Sequence, residues 1–138
     1  MNRYTLILTF LLSLISFPML GKDFEGLVKR DGLYYERSSD TPYTGTVTGE
    51  KKGYMYNGEK DGEWTFYYDD DDVLKAKGTY KHGKQDGNFT VYHDNSQILY
   101  QGNYSKGKKE GHFDFYYKDG TINEHKSGTY ENGEKISD

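Results

Sequence analysis

A glycine- and tyrosine-rich segment that recurs along the chain is the feature that most constrains the fold. Three full copies begin at Gly53, Gly78 and Gly102, and a truncated copy begins at Gly128. They share the pattern G-x-Y-x-x-G-x-x-[DE]-G-x-[WF]-x-[FV]-Y, with Met55 in place of one tyrosine. Self-similarity at a fixed period is the signature of a repeat architecture, in which each unit packs on its neighbours.

Within each copy the apolar residues alternate with polar ones. Trp64 and Phe66 fall on one side of an extended chain, and Thr65 and Tyr67 fall on the other. Alternation with period two indicates half-buried β-strands. The second strand of each hairpin is predicted over residues 73–80, 97–104 and 121–130. Residue pairs that accept positive φ, and so close tight hairpins, end these strands: Asn57-Gly58, His82-Gly83, Lys106-Gly107 and Asn132-Gly133.

Stacked hairpins predict an all-β fold, an elongated, solenoid-like antiparallel sheet of about four hairpin units over residues 31–138. The composition agrees once the repeat is recognised. Only 33% of the residues are apolar, but 15 are Tyr, whose ring can be buried while its hydroxyl stays wet. The sequence excludes a helix bundle and a leucine-rich globule, and the absence of Cys excludes a disulfide scaffold.

The first residues have a different character. A short positive start at Met1 to Arg3 is followed by an uncharged, mostly apolar run to Leu20, and then by Gly21. This pattern predicts a secretory signal peptide over residues 1–21, with an uncleaved membrane anchor as the alternative. Residues 22–30 are predicted to form a linker. We therefore expect an exported protein in the periplasm, at the cell surface or outside the cell.

The repeat resembles the MORN-type family, and more closely the bacterial YwqK-like proteins that carry an antitoxin label. The resemblance rests on residues 80–87 and 104–111, with residues 31–35 and 41–45 similar to a first repeat. It covers about residues 31–135. It implies a β-sheet of hairpins, often exported in bacteria, with no catalytic residues to transfer. It also implies two alternative functions, neutralisation of a partner toxin and scaffolding at membrane lipids.

No pattern in the sequence indicates a catalytic or metal site. Asp69 to Asp72 could collect Ca²⁺, but the calcium-loop pattern is absent, and an acidic hairpin tip in water is favoured. His82, His93, His112 and His125 lack metal-ligand spacing; a facing pair of His112 and His125 is the less favoured alternative. Ser96, Ser105 and Ser127 lie in no nucleophile elbow. We expect no enzyme activity, no bound metal and no cofactor.

Binding is the remaining function. Tyr67, Tyr92 and Tyr116 recur at one register. They lie on the side opposite the predicted core row, which consists of Trp64, Phe89 and Phe113. They form a candidate interaction stripe for a protein or carbohydrate surface, unless the twist of the sheet covers both faces. The net charge of −4 disfavours nucleic acid, and membrane contact is expected only through the N-terminal segment. The open edges of the sheet are a second candidate binding site, where a strand of a partner protein can pair with the edge strand. The sequence predicts an exported module for protein–protein interaction.

Overall fold

The computed structural model of the protein describes residues 20–68 and 72–138. These residues form β-strands with one short 3-10 turn at Phe24–Gly26, and no α-helix occurs among them. The strands, in chain order, are β1 Lys22–Asp23, β2 Leu27–Arg30, β3 Leu33–Glu36, β4 Gly45–Thr48, β5 Lys51–Tyr56, β6 Glu59–Tyr67, β7 Leu74–Lys81, β8 Lys84–Tyr92, β9 Ile98–Ser105, β10 Lys108–Phe115, β11 Gly128–Glu131 and β12 Glu134–Ser137.

Ten strands form one open sheet, in the order β1-β4-β5-β6-β7-β8-β9-β10-β11-β12. From β4 onward every strand is hydrogen-bonded to its neighbour in sequence and runs antiparallel to it. The all-β sheet of successive hairpins is therefore confirmed. The repeat pattern gives no sign of two further features, the parallel pairing of β1 with β4 and the separate two-stranded sheet of β2 and β3.

The predicted hairpin turns are confirmed by their backbone angles. At Asn57-Gly58, for example, φ is +49° and +77°, so both central residues occupy the left-handed region. Such a two-residue turn matches the twist of the flanking strands. The same angles recur at His82-Gly83, Lys106-Gly107, Asn132-Gly133 and Asp31-Gly32. Hydrogen bonds also connect the turns to the preceding hairpin. For example, the amide of Gly107 donates to the carbonyl of Gln85, which lies just after the preceding turn, at 2.8 Å.

Residues 22–30, predicted to form a linker, are instead β1, the 3-10 turn and β2. Asp23 begins the turn by accepting the amide of Glu25 at 2.9 Å. Leu27 is buried and packs in one cluster with Val47, Met55 and Trp64. Apolar side chains at Phe24 and Leu27 give this segment a surface to bury, and so it folds against the first end of the sheet.

The strand predicted over residues 121–130 is wrong except for its last part, because β11 begins only at Gly128. Ile122 forms one isolated bridge with Tyr116, and the chain then turns. The carbonyl of Asn123 accepts the amides of Lys126 at 3.1 Å and Ser127 at 2.9 Å. Such local hydrogen bonds compete with a sheet ladder for the same donors.

The predicted core row is confirmed: Trp64, Phe89 and Phe113 are buried on one face of the sheet, which we call the aromatic face. Each of these rings lies over a glycine of the preceding strand, at Gly53, Gly78 and Gly102 respectively. Neighbouring rings continue the row in edge-to-face pairs, with ring centroids 5.3–5.9 Å apart from Tyr80 through Phe89, Tyr104 and Phe113 to Tyr130. The core is thus a ladder of rings that runs across the strands.

A side chain just after the aromatic triplet links each hairpin to the next. The hydroxyl of Tyr68 donates to the carbonyl of Tyr92 at 2.7 Å. At the equivalent position, His93 Nε2 lies 3.1 Å from the carbonyl of Tyr116 and donates to it. Tyr117 occupies the same position in the last full unit and is exposed.

We expect Tyr68→Phe to lower the free energy of unfolding by about 1 kcal/mol, because a partly buried hydrogen bond to a backbone carbonyl is lost. Tyr117→Phe is the matched control, and it should change stability by less than about 0.5 kcal/mol. Urea denaturation of both variants measures the difference. Equal effects would show that the Tyr68 bond does not stabilise the stack of hairpins.

Two sequence predictions fall outside the described residues. The predicted signal peptide lies there except for Leu20 and Gly21, and so do Asp69, Asp70 and Asp71 of the acidic run. Asp72 is described, and it is exposed, with φ at +48°. Over residues 20–68 and 72–138, no helix combines the length and apolar character needed to cross a bilayer.

Candidate binding face

The three tyrosines of the candidate stripe occupy equivalent places on successive hairpins. Tyr67 and Tyr92 end β6 and β8, and Tyr116 follows β10 directly. All three are half-buried. The ammonium of Lys52 lies 4.4 Å from the centre of the Tyr67 ring. Among the tyrosines that the structure describes, those with the largest exposed fractions lie elsewhere, at Tyr54, Tyr56 and Tyr117. The stripe stays a prediction.

The aromatic face is covered unevenly. At its first end, Phe24, Leu27 and Tyr34 pack on the cluster that contains Trp64. Toward its middle, four apolar side chains contact the core but remain only partly buried, namely Phe66, Tyr80, Val91 and Tyr100. The centre of this face therefore keeps apolar surface within reach of solvent.

Two lysines extend over this face and end among its rings. The ammonium of Lys60 lies 5.1–6.0 Å from the ring centroids of Phe24, Trp64, Phe66 and Tyr80. The ammonium of Lys109 lies 4.5–5.6 Å from those of Tyr100, Phe113, Phe115 and Tyr130. Both hold the same repeat position, two residues after the turn glycine, where the middle unit has Gln85. Cations at such distances are attracted to ring faces.

These lysines are missing from the sequence-based candidates, although the sequence contains the signal that places them. Alternation continued backward from Trp64 assigns Lys60 to the core side, and from Phe113 it assigns Lys109 there too. The strand pairing agrees, since Lys60 lies opposite the buried Met55 and Lys109 opposite the buried Tyr104. Their position on the aromatic face follows from this register.

Burial and like charges shape the electrostatics of the aromatic face. Burial, followed by the charges of Lys51 and Lys29, lowers the pKa of Lys60 to about 8. Burial and then the charge of Lys126 lower the pKa of Lys109. Over residues 20–68 and 72–138, none of these five lysines has a carboxylate within ion-pair distance. Positive charge therefore gathers over the rings without a salt bridge to any carboxylate of this part of the chain.

A groove opens where the middle unit departs from its neighbours. Ala76 stands where the next unit has Tyr100, and Val91 stands where the flanking units have Phe66 and Phe115. The smaller side chains leave a groove of about 380 Å³. Its lining consists of rings and small apolar residues together with charged side chains, namely Phe66, Tyr67, Ala76, Tyr80, Phe89 and Val91 with Glu50, Lys51 and Lys75. Tyr67 of the candidate stripe thus also borders the aromatic face.

His112, His125 and Ser127 occupy a different region of the sheet. His112 and His125 line one groove of about 520 Å³, and His112 Nε2 lies 3.1 Å from Asp114 Oδ1. Among the described residues, no three imidazole or carboxylate groups come together in a way that could hold a metal ion. Ser127 is buried, and its hydroxyl accepts the amide of Phe115 at 2.9 Å. That hydroxyl holds β10 to the turn before β11.

The chain matches no protein-family model. A search of curated proteins likewise finds no match.

Proposed function

We propose that this chain is an exported, non-enzymatic module of MORN-type repeats that acts through protein contacts at the cell envelope or outside the cell. The observation that supports it best is the half-buried row of Phe66, Tyr80, Val91 and Tyr100 in the middle of the aromatic face. Three of these four side chains are aromatic, and aromatic residues are enriched at protein interfaces. A sheet fixed by successive hairpins presents them with little loss of conformational entropy on binding.

Site-specific photo-cross-linking in cells tests the contact. A photoreactive phenylalanine analogue replaces Tyr100 on the aromatic face or Tyr92 of the candidate stripe. A matched control carries it at Lys77, an exposed residue of β7 that lines a separate groove with Thr65 and Thr90. We expect a discrete protein adduct from Tyr100 and none from Lys77. No adduct from either tyrosine would refute the proposal, and an adduct from Tyr92 alone would assign the contact to the stripe.

Cell fractionation of the full chain with a C-terminal tag tests export separately. We expect the protein in the periplasm, on the cell surface or in the medium. This expectation rests on the apolar run that ends at Leu20. Retention in the cytoplasm would contradict export, and it would favour the antitoxin function that the family resemblance implies.

A further inference from the structure

We infer that the aromatic face recognises an acidic peptide segment of its partner, and that a bulky apolar side chain of this segment enters the groove beside Ala76 and Val91. The inference deepens the proposed function and rests on it. Two observations carry it independently: the shape of the groove and the lysines gathered around it.

The groove has the size and lining for an apolar side chain. Its volume of about 380 Å³ lies near the lower end of the range for ligand pockets, and so it accepts one or two side chains of a peptide. Phe66, Tyr80 and Phe89 supply ring surface. In the next unit, Tyr100 and Phe115 pack with their ring centroids 5.1 Å apart. An aromatic ring from the partner, placed beside Ala76 and Val91, would make the same ring packing that Tyr100 and Phe115 make in the next unit.

The charge around the groove selects an acidic segment. Lys51 and Lys75 line the groove itself, with Glu50 as the single carboxylate among the described lining residues. Lys51 and Lys29 both lie near Lys60, close enough for their charges to disfavour its charged form. Lysine side chains are thus concentrated at this face, although the net charge of the protein is −4. Carboxylates beside them would relieve the repulsion, whereas a basic segment would increase it.

Fluorescence anisotropy with labelled synthetic peptides tests the inference on the protein purified from cells. The probe has one phenylalanine flanked by glutamates. Two comparison peptides replace the phenylalanine with alanine or the glutamates with lysines. We expect the probe to bind and each comparison peptide to bind at least about tenfold more weakly, a difference of about 1.4 kcal/mol. Binding that falls steeply with added salt is expected as well.

Variants locate the binding. Val91→Phe fills the groove with the residue found at the same position in both flanking units, so the variant should fold. We expect it to bind the probe about tenfold more weakly than the wild type. Lys51→Gln removes a cation and should also weaken it. The matched control, Lys77→Gln, loses the same charge outside the groove and should leave the affinity unchanged. Denaturation of each variant verifies its folding, and Lys51→Gln decides the question if Val91→Phe does not fold.

Three results would overturn the inference: equal binding of all three peptides, unchanged binding by both Val91→Phe and Lys51→Gln, or binding of anionic lipid vesicles without binding of the probe. If the probe fails while a protein adduct forms at Tyr100, the inference is wrong and the proposed function stands. If neither tyrosine gives an adduct in cells, the proposed function itself is wrong.

Discussion

Gly102→Ala is expected to lower the free energy of unfolding by about 3 kcal/mol, although its methyl group is the smallest addition a glycine can receive. Gly102 pairs directly with Phe113 across β9 and β10, and the new methyl would overlap the Phe113 ring. That ring is fully buried against Tyr100, Tyr104, Phe115 and Tyr130, and so it has no free space to move into. Urea denaturation with a two-state fit measures the loss.

Gly111→Ala is the matched control for this prediction. Gly111 has φ at +85°, but nothing lies near the position of an added methyl. Its cost is therefore backbone strain alone, about 1 kcal/mol. The double variant Gly102→Ala/Phe113→Leu should cost less than the sum of its two single changes, since the smaller side chain leaves room for the methyl. Equal losses for the two glycine variants would show that the ring does not determine the requirement at Gly102.

The glycines of the repeat have two roles in the structure: some close turns, and others lie directly under a buried ring. A turn glycine such as Gly58 is recognisable because the preceding Asn57 completes a known two-residue hairpin signal. The pairing of Gly102 with Phe113 depends on the register between β9 and β10, which shifts between Glu110 and Phe113. Periodicity in one chain gives the spacing of the rings, but this shift decides which glycine each ring covers.

The candidate site was predicted less completely than the fold, for two physical reasons. Alternation assigns Tyr67 to the side away from the core, but its exposure depends on neighbours such as Lys52 and on the bulge where β6 meets β7. The groove arises because Ala76 and Val91 are smaller than their counterparts in the other units. The repeat pattern describes only what the units share, and so it does not predict a groove in the one unit that differs. The first end of the sheet was missed because Leu27 belongs to no repeat.

Raising the pH from 7 to about 9.5 is expected to increase the free energy of unfolding by about 1–2 kcal/mol, through Lys60. Its pKa is lowered to about 8 in the fold from an ordinary value of 10.5. Between these values the unfolded chain binds more protons than the folded chain, so stability rises with pH. Attraction to four rings and partial exposure of the ammonium reduce the gain.

The gain should reverse at higher pH, because burial raises the pKa of Tyr80 to about 12 and raises that of Tyr104 as well. Above about pH 10 the unfolded chain loses tyrosine protons that the folded chain retains, and stability then falls.

Lys60→Met isolates the lysine, because it keeps an unbranched chain among the rings and removes the charge. We expect this variant to be at least as stable as the wild type at pH 7, and to lose the rise toward pH 9.5. Lys77→Met, which removes an exposed lysine of β7, should keep the rise. Urea denaturation at both pH values compares the three proteins. A variant less stable than the wild type at pH 7 would mean that the rings favour the ammonium more than burial and its lysine neighbours disfavour it. The cations of the aromatic face would then stabilise the free protein, and they would have less to gain from the carboxylates of a partner.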